Sequence, residues 1–296
     1  MGDNLAISAR KCGSFKVGDF YICRMGFGAM RLTGKGIWGE PPDRQAAKEL
    51  LRRVVELDVN LIDTADAYGP DVSENLIAEA LWPYEGIIIA TKGGLTRSGP
   101  GQWTPDCSPK HLRQACEASL KRLRIKRIDL YQLHTVDPRV PFEDSLQALI
   151  ELQLAGKIRY IGLSNIQPHH LRTALAKTTI VSVQNNYNLF NREHEDVLQL
   201  CEERGIAFIP YFPIGGGQTD MKQRRLQMVA TKHQVTTRQI ALAWLLAHSP
   251  VILPIPGTSS LAHLEENIAA TSIHLDGEDL AILDTINDQL SSGIVK

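Results

Sequence analysis

Apolar residues along this chain keep switching between two rhythms. Ala46, Ala47, Leu50, Leu51, Val54 and Val55 recur at helical spacing behind Asp43, a residue suited to cap a helix start. A short apolar run at 61–62 follows, then helical spacing again through Leu76, Ile77, Ala80 and Leu81, then the β-branched stretch 86–91. Ser108-Pro109 opens the next helix as cap and first-turn proline, with a buried stripe of Leu112, Ala115, Cys116, Ser119, Leu120 and Leu123. Strands are predicted at 24–28, 61–62, 86–91, 128–133, 158–163, 180–183, 206–210 and 251–255, each followed by a helical pattern. Residues 14–23 read as a β-hairpin turning at Gly18-Asp19, and 93–107 as a long Gly/Pro/Ser-rich loop. After a helix at 278–286 the chain ends in a short tail.

Strands alternating with helices through short connections mean a parallel sheet. Eight such units, with no linker between halves, fit one α/β domain over residues 1–296, a single (β/α)8 TIM barrel of about 250 residues. An open Rossmann-like sheet is the alternative, but no GxGxxG separates a first strand from its helix.

In such a barrel the site lies at the C-terminal strand ends. Those ends carry Asp63, Lys92, His134, Ser164 with Asn165, Gln184 and Tyr211, and the last strand runs into Pro256-Gly257-Thr258. Each residue alone has an ordinary structural explanation; their coincidence on one face does not. Tyr68, on the loop after Asp63, adds a phenol to the set.

Composition narrows the class. Hydrophobic residues make up 43% and charged residues 22%, ordinary for a soluble protein with a sizeable core. The 32 basic residues nearly cancel the 33 acidic ones without forming a basic stripe, which argues against nucleic acid or membrane partners. Five scattered cysteines, never spaced as CxxC, predict reduced thiols, no metal site and a cytoplasmic protein. The N-terminal residues have no apolar signal-peptide core.

Across roughly residues 15–290 the sequence resembles the aldo-keto reductase superfamily. The resemblance rests on LIDTADAYG (61–69), IATKGG (89–94), LYQLH (130–134), IGLSN (161–165), VQNNYNLF (183–190), YFPIGGG (211–217), IPGTSS (255–260) and HLEEN (263–267). MGFGAM and the last three motifs look most like the bacterial branch that includes pyridoxal reductases.

The resemblance implies reduction of an aldehyde or ketone, pyridoxal among the candidates, by hydride from a nicotinamide cofactor. Tyr68 would be the general acid, Lys92 would lower its pKa, Asp63 would hold Lys92, and His134 would orient the carbonyl. Ser164, Asn165 and Gln184 match the nicotinamide contacts, and Tyr211 the stacking aromatic. The loop from Phe212 through Ile214 and Gly215 would wrap the pyrophosphate, Glu266 and Asn267 the adenine, and Thr258, Ser259 and Ser260 an anion. Ala29 and Met30 are further cofactor candidates; Arg31, Trp38, Trp103, Phe190 and Phe212 would line the substrate end.

NADPH is the implied cofactor. NADH stays open, because two positions where relatives carry cations for a 2′-phosphate are Gly257 and His263 here. Two other roles fit the same barrel: a cofactor-binding sensor with little turnover, and an aldolase using Lys92 as a Schiff base.

Overall fold

The computed structural model describes residues 7–217 and 221–292. In chain order the strands and helices are β1 (Ser14–Val17), β2 (Phe20–Cys23), β3 (Phe27–Gly28), α1 (Arg44–Glu56), β4 (Leu61–Asp63), α2 (Val72–Leu81) and β5 (Ile88–Gly93). Next come β6 (Leu95–Gly99), β7 (Gln102–Pro105), α3 (Pro109–Arg122), β8 (Ile128–Leu133), α4 (Phe142–Leu154), β9 (Ile158–Ser164), α5 (Pro168–Leu175) and β10 (Ile180–Gln184). The chain continues through α6 (Glu195–Arg204), β11 (Ala207–Phe208), α7 (Arg224–His233), α8 (Thr237–His248), α9 (Leu261–Ala269) and α10 (Gly277–Ser292). The C-terminal tail beyond Ser292 lies outside the described residues. None of the described helices is long and apolar enough to cross a membrane.

Seven strands form one curled parallel sheet in the order β11-β10-β9-β8-β5-β4-β3. The predicted eighth strand is not formed as a strand. Residues 251–255 make a single bridge, Ile252 to Phe208. Pro254 and Pro256 have no N–H to donate, so a regular ladder cannot run through this segment. It is nevertheless bonded on both sides: Phe208 N–H donates to Val251 O and Leu253 N–H to Phe208 O, while Gly26 N–H donates to Pro254 O.

Two-residue alternation decides what the curled sheet encloses. Leu61, Ile88, Ala90, Leu130, Ala207, Ile209, Leu253 and Ile255 point inward and form one apolar cluster. Their neighbours Ile62 and Ile89 pack outward against the α1 and α2 side, and Tyr131, Leu163 and Phe208 against the later helices. The β1–β2 hairpin adds Val17 and Ile22 to the inner cluster and forms its floor. Its turn needs glycine: Gly18 has φ +62°, and a Cβ there would lie 2.3 Å from the Tyr160 ring.

The stretch expected as a loop at 93–107 is instead a second hairpin, β6–β7, turning at Pro100-Gly101 with Gly101 at φ +71°. It stands apart from the main sheet on the side where the strands end.

Candidate functional site

The inward series that builds the apolar interior turns polar two residues further along each strand. Leu61 is followed by Asp63, Ala90 by Lys92, Leu130 by Gln132 and then His134, and Ile209 by Tyr211. The same pleat that buries the core therefore delivers these side chains to one space. Lys92 is fully buried, and its Nζ donates to Asp63 Oδ1 at 2.5 Å, Thr64 O at 2.8 Å and the Tyr68 hydroxyl at 3.3 Å. The other Asp63 oxygen accepts from Gln132 Nε2 at 3.0 Å and Gln184 Nε2 at 2.9 Å. On the outward side of β5, Thr91 donates to the buried Glu74, which also takes the Arg122 guanidinium. That pairing fixes β5 between α2 and α3.

Burial opposes the charge on Lys92, but Asp63 and then Tyr68 outweigh it, and the ammonium is held above its ordinary pKa. Burial raises the Tyr68 phenol; Lys92 draws it down only in part, so the net shift is upward. Lys92 thus acts in the direction the sequence implied, and burial, which the sequence does not show, sets the net sign. The imidazole of His134 is held well below the ordinary histidine range by burial, with Lys92 adding to the effect, and is neutral. Its Nδ1 is buried without a hydrogen-bond partner among the described residues. A lone pair tolerates such a position better than an N–H, which favours the proton on Nε2.

A cavity of about 930 Å³ opens over this cluster. Near the phenol it is walled by Tyr68, His134 and Trp103, whose rings meet edge to face at centroid distances of 5.9–6.3 Å. Met30 and Arg31 stand beside them, and Arg31 reaches Gly216 O at 3.5 Å. Ser164, Asn165, Gln184 and Tyr211 line the middle. Asn165, at φ +56°, donates to His134 O and accepts from the Tyr211 hydroxyl at 2.8 Å. The far end is lined by Phe212, Ile214, Gly257, Thr258, Ser259, His263, Glu266 and Asn267, at the start of α9.

Several predicted residues are placed elsewhere. Lys92 lies behind Asp63 and Tyr68 rather than on the wall. Gln184 stays on the cavity lining, with one amide N–H given to Asp63. Phe190 packs against the large outer core, Ala29 is buried under Ser73, and Trp38 bridges to Gly69. Gly215 donates to Phe212 O inside the glycine loop, and Ser260 caps α9 by accepting from His263 N–H. Phe190 is taken up by apolar packing, and Ala29, Trp38, Gly215 and Ser260 by local bonds that residue type does not reveal.

Sequence reasoning missed Gln132, Leu95, Met221, Lys222 and Arg238. Gln132 carried a readable signal, since it is polar at an inward position of an otherwise apolar strand. Arg238 carried none: its helix brings it to the cavity that Ser259 and His263 also line only through the packing of α8 on α9.

A family model described as the aldo/keto reductase family matches residues 24–288. The chain is 50% identical over 279 residues to an uncharacterised oxidoreductase of Schizosaccharomyces pombe, covering 94% of this chain and 91% of that protein. It is 42% identical over 281 residues to the pyridoxine 4-dehydrogenase of Escherichia coli, covering 93% and 98%. It also resembles a solved aldo/keto reductase of Klebsiella pneumoniae in complex with NADP and acetate. That match has a TM-score of 0.78 at 27% identity and covers 93% of this chain and 95% of that one. The matched stretch spans the strand ends that carry Asp63, Lys92 and His134 and the α9 end of the cavity, and the chain belongs to the aldo/keto reductase family of oxidoreductases.

Proposed function

We propose that this protein reduces an aldehyde or ketone to the alcohol with NADPH, pyridoxal being a favoured substrate, and that Tyr68 is the general acid. The observation that carries this reading is the bonded run from Asp63 through Lys92 to the Tyr68 hydroxyl, ending at the cavity wall beside neutral His134. The likeness to a pyridoxine 4-dehydrogenase supports the substrate.

The residues present fit a dinucleotide. The cavity is continuous from the phenol to the start of α9, where free helix N–H groups favour an anion. Arg238 stands on the same wall and supplies a cation of the kind the sequence lacks at Gly257 and His263. Asn165 and Ser164 would hold the carboxamide, Tyr211 would stack on the ring, and the loop from Phe212 to Gly216 would follow the pyrophosphate. When bound, the reduced cofactor supplies the hydride.

The protein's own part is the proton. Tyr68 gives its proton to the carbonyl oxygen, and the phenolate left behind is met by the Lys92 ammonium 3.3 Å away. Asp63, itself braced by Gln132 and Gln184, keeps that ammonium charged and in place. His134 donates from Nε2 to the carbonyl oxygen and fixes its direction.

The same charges argue against a Schiff-base aldolase. That chemistry needs a neutral amine at Lys92, and its pairing with Asp63 holds it as ammonium. We read the bonds of residues 251–255 to Phe208 and Gly26 as closing the sheet into a (β/α)8 barrel.

Tyr68→Phe is expected to lower kcat/KM for carbonyl reduction by about 10²–10⁴-fold, the usual contribution of a positioned acid, while NADPH binding by fluorescence titration is unchanged. Near-normal turnover in a folded variant would sink the assignment.

A further inference from the structure

Arg97 belongs to none of the motifs above, yet its guanidinium is among the most fully bonded in the molecule. Nε donates to Gln102 O at 2.9 Å; Nη1 to Ile37 O at 2.8 Å and Ala67 O at 3.0 Å; Nη2 to Gly36 O at 2.9 Å and Gly99 O at 3.3 Å. All these acceptors are backbone carbonyls, and no carboxylate pairs with Arg97 among the described residues. Its Cζ lies 3.7 Å from the centroid of the Trp103 ring and 5.8 Å from that of Trp38.

The carbonyls come from three separate segments: the loop after β3, the loop that carries Tyr68, and the β6–β7 hairpin. None of the three is part of the main sheet, so nothing in the strand ladder fixes their mutual spacing. Two further bonds, Gly39 N–H to Gly69 O and Gly101 N–H to Gly36 O, follow the same junction. A planar fork with five donors can serve carbonyls from several directions while its face lies on an indole; a lysine ammonium cannot do both. Trp103, held in this way, meets the Tyr68 and His134 rings at steep angles of 85° and 71°.

We propose that Arg97 is a positioning residue that holds Trp103 as a rigid wall beside Tyr68 and thereby sets a preference for flat aromatic carbonyl substrates over small aliphatic ones. The proposal rests on the reductase reading of the same cavity. A flat ring needs the wall for binding contact, whereas a small aldehyde needs only Tyr68 and His134.

The test is steady-state NADPH oxidation with pyridoxal and with methylglyoxal, for the wild type, Arg97→Ala, Arg97→Lys, Trp103→Ala and the double variant. The selectivity ratio, kcat/KM for pyridoxal over that for methylglyoxal, should fall about tenfold in Arg97→Ala, the size of a lost cation–π and stacking contact. The change should appear in KM more than in kcat, and NADPH dissociation constants should stay level. Arg97→Lys keeps the charge but not the fork, so it should show the same direction and also guards against a misfolded alanine variant. In the Trp103→Ala background, removing Arg97 should leave the ratio where it is. An unchanged ratio in folded Arg97→Ala or Arg97→Lys would overturn the proposal, as would a further fall in the double variant. A wild type inactive with both aldehydes would instead overturn the reductase reading, and this proposal with it.

Discussion

Tyr68 is buried deeply enough that its phenol is a weaker acid than in water, in spite of the lysine beside it. For the proposed reduction, with Tyr68 as the acid, this would be the useful direction, because the proton is present at every physiological pH and would leave only when the carbonyl oxygen gains charge. For alcohol oxidation the sign reverses. That direction needs phenolate, and below the pKa the phenolate fraction grows tenfold per pH unit. Log kcat/KM for oxidation should therefore rise about one unit per pH from about 7 to 9 with no plateau, while reduction stays flat. A plateau near neutrality would mean that Lys92 outweighs burial. At this scale the sequence was legible where a residue ends a strand, as with Asp63, Lys92 and His134. It was opaque where meaning depends on a partner. Gln184 read as a cofactor contact gave no sign of its bond to Asp63, and Gln132 was hidden inside a strand read only for its apolar neighbours.

Elements bring together what residues cannot. Thr236 and Gln239 form a reciprocal cap at the start of α8, and both also bond Glu266 of α9, through Thr236 Oγ1 at 2.6 Å and Gln239 Nε2 at 3.0 Å. That lock carries Arg238, in the first turn of α8, to the wall where α9 begins. Arg238→Ala should weaken NADPH binding by about 10–100-fold, the worth of a charged hydrogen bond of roughly 1.5–3 kcal/mol, and leave NADH within about threefold. Equal loss for both cofactors in a binding titration would remove Arg238 from the 2′-phosphate. Helices were read well from sequence because their apolar stripes are long and their caps, such as Asp43 and Ser108, are local. The β6–β7 hairpin was not, since its glycine, proline and serine content hides strands whose register depends on a two-residue turn. The segment 251–255 erred the other way. Its apolar run promised a strand, and Pro254, with Pro256 just beyond, breaks the ladder.

For the whole molecule, the seam between the first and last inward segments is a point of close backbone constraint. A Cβ on Gly28 would lie 2.7 Å from Ile255 O, and one on Gly257 would lie 2.5 Å from Gly28 O. Both obstacles are backbone and cannot rotate away. Gly28→Ala should cost about 1–3 kcal/mol in urea-induced unfolding, the range for overpacking a tight interior. Unchanged stability would mean that the seam is looser than its spacing. At the opposite end, the hairpin of Val17 and Ile22 floors the interior under the apolar cluster. Among the described residues the enclosure is therefore closed at the hairpin end, and the doorway to Tyr68 lies at the other. Two guests sharing that doorway have an order of traffic imposed on them: the one seated deeper arrives first and departs last.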